Sequence, residues 1–276
     1  MVIRLCAFAD EAGSGINEQI KALGENGISL VEVRTVGGKN ISKFTDDEAK
    51  KYADAFRKAG ISVWSLGSPL CKVPVFFSGK KECEKARRLC ELAKIFGTEN
   101  IRAFSFVTGF LPGMEKTVLK KLRPVIDIVE GSGINFCHEN DTSMFGGNIK
   151  GLRALLKEFP DLKTIYDPAN YIVSGQNPDI TLAEFSERAH YYHMKDASGK
   201  KVVPAGTGDA KIRELILSLN KDTVLSIEPH LFLYKDENCG FDLSTKRGKF
   251  DCAVSAVKSV LLECGYEDKC GYFERN

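Results

Sequence analysis

The feature that most constrains this sequence is a repeat in which a short apolar run is followed by a segment with helical spacing. The repeat averages about 31 residues, the length of one β-strand and the helix that crosses back over it. In the segment after the first run, apolar residues recur at Ile16, Ile20 and Leu23, as on one face of a helix. Eight such units fill the chain. Their apolar runs begin near residues 3, 30, 62, 100, 134, 163, 190 and 223.

Strict alternation of strand and helix favours parallel strands with right-handed crossovers, and eight strands are the number that closes a (β/α)8 TIM barrel. No linker divides the sequence, so we expect residues 1–276 to form a single barrel domain. An open doubly wound sheet is the competing fold, but no G-x-G-x-x-G turn follows the first strand. Glycines that directly follow predicted helices, where a left-handed C-cap would lie, are Gly27, Gly60, Gly97 and Gly265.

Charge and cysteine content limit the partners and the compartment. The 39 Lys and Arg residues balance 37 Asp and Glu residues without long runs of one sign, which disfavours binding to nucleic acid or to an anionic membrane. The N-terminus reaches Asp10 and Glu11 too soon for a signal peptide or a membrane helix. Nine cysteines without a C-x-x-C pair indicate free thiols in a reducing compartment. We predict a cytoplasmic protein with a small-molecule partner.

Four neighbouring strands of the predicted barrel end in residues that can bind a metal. INFCHEN, KTIYDP, HYYHMKD and VLSIEPH contain Glu139, Asp167, His193 and Glu228, and side-chain alternation points all four into the C-terminal mouth of the barrel. A single polar strand end usually has a local partner. Three carboxylates in one partly buried mouth would repel one another, and a divalent cation would compensate. The donors suit Mn²⁺, our first expectation, or Mg²⁺, with Co²⁺ and Zn²⁺ as alternatives.

Further charged residues fall near the same end of the barrel. Glu32 and Arg34 alternate with valines in LVEVRT, and Arg102 lies within IRAFSF. Because a closed barrel has no edge strand, we expect these charges to point inward or to the rim. His138 and His230 stand beside ligand candidates, and each is as well suited to orienting a ligand as to catalysis.

The motifs FADEAG, VEVR, GSPLCK, IRAFSF, HEN, DPAN, HMKD and IEPH follow one another along nearly the whole chain. Because it has these motifs in this order, the sequence resembles the xylose isomerase-like sugar phosphate isomerases and epimerases. This superfamily of barrels includes tagatose-type epimerases, inosose dehydratase, hydroxypyruvate isomerase and endonuclease IV. The resemblance implies the same four metal ligands as the strand ends. It disfavours phosphodiester cleavage, because a three-zinc cluster needs more histidines than the 4 present. Similar sequences often have a glycine in place of Cys71.

The resemblance also implies a reaction, the metal-dependent isomerisation or epimerisation of a sugar or sugar phosphate. The metal would polarise the substrate carbonyl, and a carboxylate would remove the neighbouring proton to give a metal-bound enediolate. Glu139 and Glu228 would exchange protons on opposite faces of the sugar. Lys195, His138 and Arg34 would hold hydroxyl groups or donate protons.

A phosphate on the substrate would bind Lys72 or Arg102, or the backbone amides of GTGD at 206–209. The alternative for GTGD, which we favour slightly, is a turn whose aspartate caps the next helix. The candidate substrate-binding side chains are therefore Arg34, Lys72, Arg102 and His230.

Two other classes of function stay open. A lyase would use the same metal and base to eliminate water from a keto-sugar or an inosose. A non-catalytic sugar-binding barrel is the second alternative, although the intact ligand set counts against it. Apolar residues in the long loops 69–79 and 230–249 would form a lid or a homo-oligomer interface. His190, at the opposite end of its strand, is interpreted as structural.

Overall fold

The computed structural model describes residues 1–109, 111–236 and 239–275. Eight parallel strands are each hydrogen-bonded to the next, and the last pairs with the first, with Thr223 opposite Ile3. This closure confirms the predicted (β/α)8 TIM barrel. The strands are β1 (Val2–Ala7), β2 (Leu30–Val33), β3 (Ser62–Leu70), β4 (Asn100–Ala103), β5 (Asn135–Glu139), β6 (Lys163–Tyr166), β7 (Tyr191–Met194) and β8 (Thr223–Ile227).

Helices follow every strand, and β6 is followed by two short ones. No helix in the described part of the chain is long and apolar enough to span a membrane. All four glycines predicted as left-handed C-caps have positive φ, between 64° and 83°. The helices are α1 (Ile16–Glu25), α2 (Asp46–Lys58), α3 (Gly79–Phe96), α4 (Glu115–Glu130), α5 (Ile149–Glu158), α6 (Pro168–Val173), α7 (Pro178–Phe185), α8 (Ile212–Ser218) and α9 (Lys246–Glu263).

Three small antiparallel hairpins lie outside the regular alternation of strand and helix. Thr35–Val36 pairs with Lys39–Asn40, and Asp196–Ser198 pairs with Lys201–Val203, so each of these hairpins lengthens a loop at the C-terminal mouth. The third hairpin, near the C-terminus, pairs with the beginning of β1 at the other end of the barrel. Strands of two or three residues are too short for a hydrophobic period to reveal, so the sequence did not predict them.

Alternation along the strands divides the apolar side chains into two separate clusters. The larger lies between the strands and the helices and includes Tyr192 and Leu225. The smaller fills the inside of the barrel. Several of its members precede the predicted metal ligands by two residues, so the ligands lie directly above it, as alternation predicted. The interior members are Cys6, Leu30, Cys137, Ile165, Tyr191 and Val224, with Trp64 packed against them.

The turn after β3 contains a residue in the left-handed region. Cys71 has φ of 59° and is fully buried, and its backbone N–H donates to Glu82 Oε2 at 2.7 Å. A non-glycine residue in this region costs about 1–2 kcal/mol. A glycine would adopt the conformation without that cost. The buried contact with Glu82 therefore holds a turn that the local sequence disfavours.

The placement of α5 against the barrel predicts unequal effects of two leucine substitutions. Leu155 on α5 is fully buried, whereas Leu217 on α8 is 51% exposed. We expect Leu155→Ala to lower the free energy of unfolding by about 2–5 kcal/mol because it leaves a cavity. Leu217→Ala should lower it by less than about 0.5 kcal/mol. Urea unfolding followed by circular dichroism measures both, and equal losses would contradict this packing.

Candidate metal centre

Four side chains from neighbouring strands meet at the C-terminal mouth of the barrel. Glu139, Asp167, His193 and Glu228 each offer a ligand atom, and these atoms all lie within 4.8 Å of one another. None of the four residues is more than 2% exposed. The fold therefore brings together the residues that the strand ends predicted.

Two asparagines fix the carboxylates that follow β5 and β6. Asn140 accepts a hydrogen bond from the backbone N–H of Asp167 at 2.9 Å and donates to its carbonyl at 2.8 Å, which ties the two strand ends together. Asp167 caps α6 by accepting from the N–H of Asn170 at 3.0 Å. The Asn170 side chain in turn donates to Glu139 Oε1 at 3.3 Å. These contacts give the asparagines of HEN and DPAN a positioning function that the sequence analysis did not assign.

A buried glutamate orients the imidazole. His193 Nε2 lies 3.1 Å from Glu32 Oε2, and Glu32 also accepts hydrogen bonds from Tyr191 and Ser226, both at 3.0 Å. With Nε2–H donated to Glu32, Nδ1 faces Glu139 Oε1 at 3.4 Å. A metal-binding histidine usually donates its second ring nitrogen to a carboxylate in this way. The sequence signal for Glu32 was a charge between valines inside a strand, but its partner was not predictable.

The donor atoms at the centre fit a divalent cation. His193 Nδ1, Glu139 Oε2 and Asp167 Oδ2 are buried and make no hydrogen bond with any described residue. Lys195 Nζ does lie 2.7 Å from Asp167 Oδ2, as an ion-pair contact. Three carboxylates and one imidazole are a donor set that Mn²⁺, Mg²⁺ or Zn²⁺ accepts. These buried donor atoms thus have the chemistry of metal ligands, although both carboxylate oxygens also have an ion-pair contact.

The balance of buried charge supports the same conclusion. With His193 neutral, the buried carboxylates of the mouth outnumber its buried cations, and a divalent ion would reduce that excess of negative charge. The carboxylates are Glu11, Glu32, Glu139, Asp167 and Glu228, and the cations are Arg102 and Lys195.

Protonation of the metal-free centre follows from burial and neighbouring charge. Burial alone would lower the pKa of His193, but Glu32 and Glu139 outweigh it and raise that pKa to about 10. Burial alone would raise the pKa of Glu139, but Arg102 and His193 lower it to about 2. At neutral pH the metal-free centre therefore holds a proton on His193 and an ionised Glu139.

A cavity of about 370 Å³ lies at the mouth, next to the four side chains. Glu139 and Glu228 line it, whereas Asp167 and His193 do not. Two of the candidate ligands therefore also face the space that a substrate would occupy. The other charged and imidazole side chains of the wall are Arg34, Lys72, Arg102, Asp141, Lys195, Lys200 and His230.

The two arginines predicted to bind substrate do line this cavity, but both also contact carboxylates. Arg102 Nη1 lies 3.3 Å from Glu139 Oε2 and 3.7 Å from Glu228 Oε1, so it bridges the two carboxylates that face the cavity. Arg34 is held by Asp10 and Glu11 and reaches Glu228 Oε1 at 3.3 Å. The mouth is an ordered network of charges.

Lys72 and His230 lie nearer the rim. Lys72 Nζ contacts Asp141 Oδ2 at 2.5 Å, and its side chain is 43% exposed. His230 Nε2 lies 3.2 Å from Glu11 Oε1 and 3.6 Å from Glu228 Oε1. Both line the cavity, so a substrate in the cavity could reach them. Their predicted contact with substrate stays a prediction.

His138 lies outside the cavity, and its predicted catalytic role stays a prediction. It is 1% exposed, and its Nε2 lies 3.0 Å from Ser105 Oγ. Its ring fills the space beside Gly146, on the face of β5 opposite Glu139. Burial lowers its pKa to about 4, so it is neutral. The alternation that turns Glu139 inward turns its neighbour outward.

The predicted phosphate site at GTGD is wrong. The amides of Gly206 and Gly208 donate to Asp196 Oδ2 at 2.9 and 3.0 Å, so an internal carboxylate already occupies them. The alternative, a helix cap, is wrong as well. Asp209 instead accepts from the N–H of Gly199 at 3.2 Å, and α8 begins only at Ile212.

The two long loops predicted as a lid or an interface carry exposed apolar side chains. The greatest exposures in them are 72% for Phe76 in the first loop and 86% for Leu233 in the second. Their function stays a prediction.

The chain matches the family profile described as "Xylose isomerase-like TIM barrel" over residues 19–236. No curated protein matches the sequence.

The solved structure of the IolI protein with a bound zinc atom is 16% identical, with a TM-score of 0.72 over 94% of this chain and 98% of that chain. The probable 3-DHS dehydratase AsbF from Bacillus anthracis is 16% identical, with a TM-score of 0.69 over 94% and 98%. A D-tagatose 3-epimerase-like protein is 14% identical, with a TM-score of 0.71 over 95% and 96%. At these identities the structures show a shared fold.

The contact between Glu32 and His193 predicts a change in a measurable pKa. We expect Glu32→Gln to lower the pKa of His193 in the metal-free protein by about one pH unit or more, since a charge interaction of about 1.4 kcal/mol is lost per unit. NMR titration of the histidine rings measures it. Tyr191→Phe is the control, because it removes a hydrogen bond to Glu32 but keeps the charge.

The same pair makes metal-free stability depend on pH. The pKa of His193 is raised from 6.5 to about 10 in the folded protein. Protonation of His193 therefore stabilises the folded protein fully below pH 6.5, and this contribution is lost as the pH rises through 10. Glu32→Gln should flatten that dependence. An unchanged His193 pKa in this variant would contradict the assigned contact.

Proposed function

This chain belongs to the xylose isomerase-like TIM barrel family, as its motifs predicted, and we propose that it is a divalent metal-dependent isomerase or epimerase of a sugar or sugar phosphate. One observation carries the proposal. Three carboxylates and one imidazole converge at a charged cavity, and two of the carboxylates line it. Two solved structures of the same fold support the proposal. One holds zinc, which supports metal binding, and the other is D-tagatose 3-epimerase-like, which supports a reaction on a sugar.

The four converging side chains, Glu139, Asp167, His193 and Glu228, would hold the ion. When bound, the ion would polarise the carbonyl of the substrate and make the neighbouring C–H more acidic. Mn²⁺ is the ion that we propose first, because a carboxylate-rich set with one imidazole suits it. Zn²⁺ is the alternative that the solved relative supports.

Glu139 and Glu228 would act as the bases. Burial alone would raise the pKa of Glu228, but His230 and Lys195 outweigh it and hold that pKa well below its ordinary value. Both carboxylates are thus ionised at neutral pH. Because such groups are weak bases, the polarised carbonyl would have to supply much of the acidity of the C–H. One glutamate would remove the proton and the other would return one to the opposite face.

Cationic side chains would hold the substrate. Lys195 Nζ lies 2.7 Å from Glu228 Oε2 and lines the cavity, so it would donate to a substrate oxygen beside the base. Lys72 and Lys200 line the outer part of the cavity and are exposed. Two cations at that position would suit the phosphate of a sugar phosphate.

Dehydration is a second candidate, and the contact between Lys195 and Glu228 favours it. Elimination of water needs a base for a carbon-bound proton and an acid for the leaving hydroxyl. Burial alone would lower the pKa of Lys195, but Asp167 and Glu228 raise it, so an ammonium group stands next to a carboxylate base. The probable dehydratase among the structures of the same fold agrees with this alternative.

Metal binding should release a proton. At pH 7.5 the metal-free centre holds a proton on His193, which an ion at Nδ1 would displace. Isothermal titration with Mn²⁺ in buffers of different ionisation enthalpy should give one ion per chain and about one proton released. We expect Asp167→Asn to weaken binding by about tenfold or more. Asp141→Asn, at the rim, is the matched control. Unchanged affinity in Asp167→Asn, or no proton release, would contradict the ligand assignment.

Deuterium exchange tests the reaction. The Mn²⁺-loaded protein is incubated in D₂O with a pool of ketoses and ketose phosphates, and products are identified by mass spectrometry. Proton transfer next to a carbonyl should introduce deuterium without changing the elemental composition otherwise. A product lighter by one water would replace our proposal with dehydration. No change with any sugar would leave only a binding function.

Variants in the same assay test the bases. Glu139→Gln and Glu228→Gln should each reduce exchange by about 100-fold or more. Glu84→Gln, on an exposed helical surface, is the matched control. Metal content is measured for every variant, because both glutamates are also proposed ligands. Normal turnover in either variant would mean that another group moves the proton.

A further inference from the structure

A second cavity, of about 490 Å³, lies at the N-terminal end of the barrel, opposite the candidate metal centre. Arg4 on β1 and Lys163 on β6 line it, each two residues before a member of the interior cluster, so both point toward the barrel axis. Arg188 and Lys221 complete its basic wall, and Asp222 is the carboxylate that lines it. The cavity therefore has an excess of three positive charges.

None of these basic side chains forms a salt bridge with a carboxylate within the ranges that the structure describes, although the charge of Lys163 acts on the carboxyl group of Glu130. Arg188 Nη2 donates to the carbonyl of Pro160 at 3.1 Å, and Lys221 Nζ donates to that of Glu187 at 2.9 Å. Asp222 is used elsewhere, since its Oδ1 accepts from the backbone N–H of Val2 at 2.8 Å. The positive charge of the cavity is thus held in place and only partly balanced.

Two buried polar groups in the wall also lack partners. Thr223 is 8% exposed, and its Oγ1 makes no hydrogen bond with any described residue. The same is true of Nε1 of Trp64. Buried donors without partners are uncommon and cost about 1–3 kcal/mol each.

An aromatic surface lies beside the cations. The Trp64 ring stacks on His190 at 5.9 Å, and the guanidinium of Arg4 lies 5.8 Å from the Trp64 ring centre. His190 is fixed by a contact of 2.9 Å between its Nε2 and Asn100 Oδ1, which agrees with the structural interpretation of this histidine. The wall offers a flat apolar surface next to a site for negative charge.

We propose that this cavity binds a phosphorylated small molecule. The phosphate would lie between Arg4 and Lys163, because a dianion matches the unpaired charge better than a single carboxylate does. The remaining volume and the Trp64 ring would accept the rest of the molecule. The interior apolar cluster lies between the two cavities, so this ligand does not reach the metal centre.

Trp64 makes the proposal directly testable, because it is the single tryptophan of the chain and lines the cavity. Its fluorescence is followed during titration with inorganic phosphate, with phenyl phosphate and with potassium chloride at matched ionic strength. Both phosphates should give a saturable change that chloride does not. Tighter binding of phenyl phosphate would show that the ring contributes, and equal binding would limit the site to the phosphate group.

Variants test the basic wall of this cavity. Arg4→Met and Lys163→Met should each weaken phosphate binding by about tenfold or more, through loss of a charged hydrogen bond. Lys43→Met, at an exposed site on another face, should leave the change in Trp64 fluorescence with phosphate unaltered. Circular dichroism confirms that each variant is folded. A response that matches chloride, or that survives in Lys163→Met, would overturn the proposal.

Discussion

The parallel pairing of β8 with β1 is the constraint on which the site depends. It closes the sheet, so the inward side chains of all eight strands share one axis. In an open sheet the ends of β5 and β8 would stand about 14 Å apart, three strand spacings, too far for one ion. Closure instead brings the ligand atoms within 4.8 Å of one another.

Closure also concentrates charge in a place with little water. Five carboxylates, two cations and the metal-binding candidate His193 are buried at the mouth, and each must be compensated by its neighbours. Glu32 and His193 compensate each other, while Arg102 bridges the two glutamates that face the cavity. The contacts that position the candidate catalytic groups are therefore the same contacts that make their burial tolerable.

The two ends of the barrel differ in how their charges are paired. Cations and carboxylates form one network of ion pairs at the C-terminal end, whereas the cations that line the N-terminal cavity form no salt bridge with a described carboxylate. The apolar cluster between them consists of aliphatic, aromatic and cysteine side chains that fill the axis. A nearly neutral chain, with a net charge of +2, thus presents two distinct sites whose charges are separated by its packed core.

The sequence by itself determined the fold and the four converging side chains, because a repeat length and an alternation of period two are local properties. The same alternation places His138 on the outer face of β5, away from the cavity. What only the tertiary structure decided is which distant groups are partners. Glu32 contacts His193 across 161 positions, and Asp196 occupies the GTGD amides. Such pairs depend on barrel closure and loop paths, which no local pattern encodes.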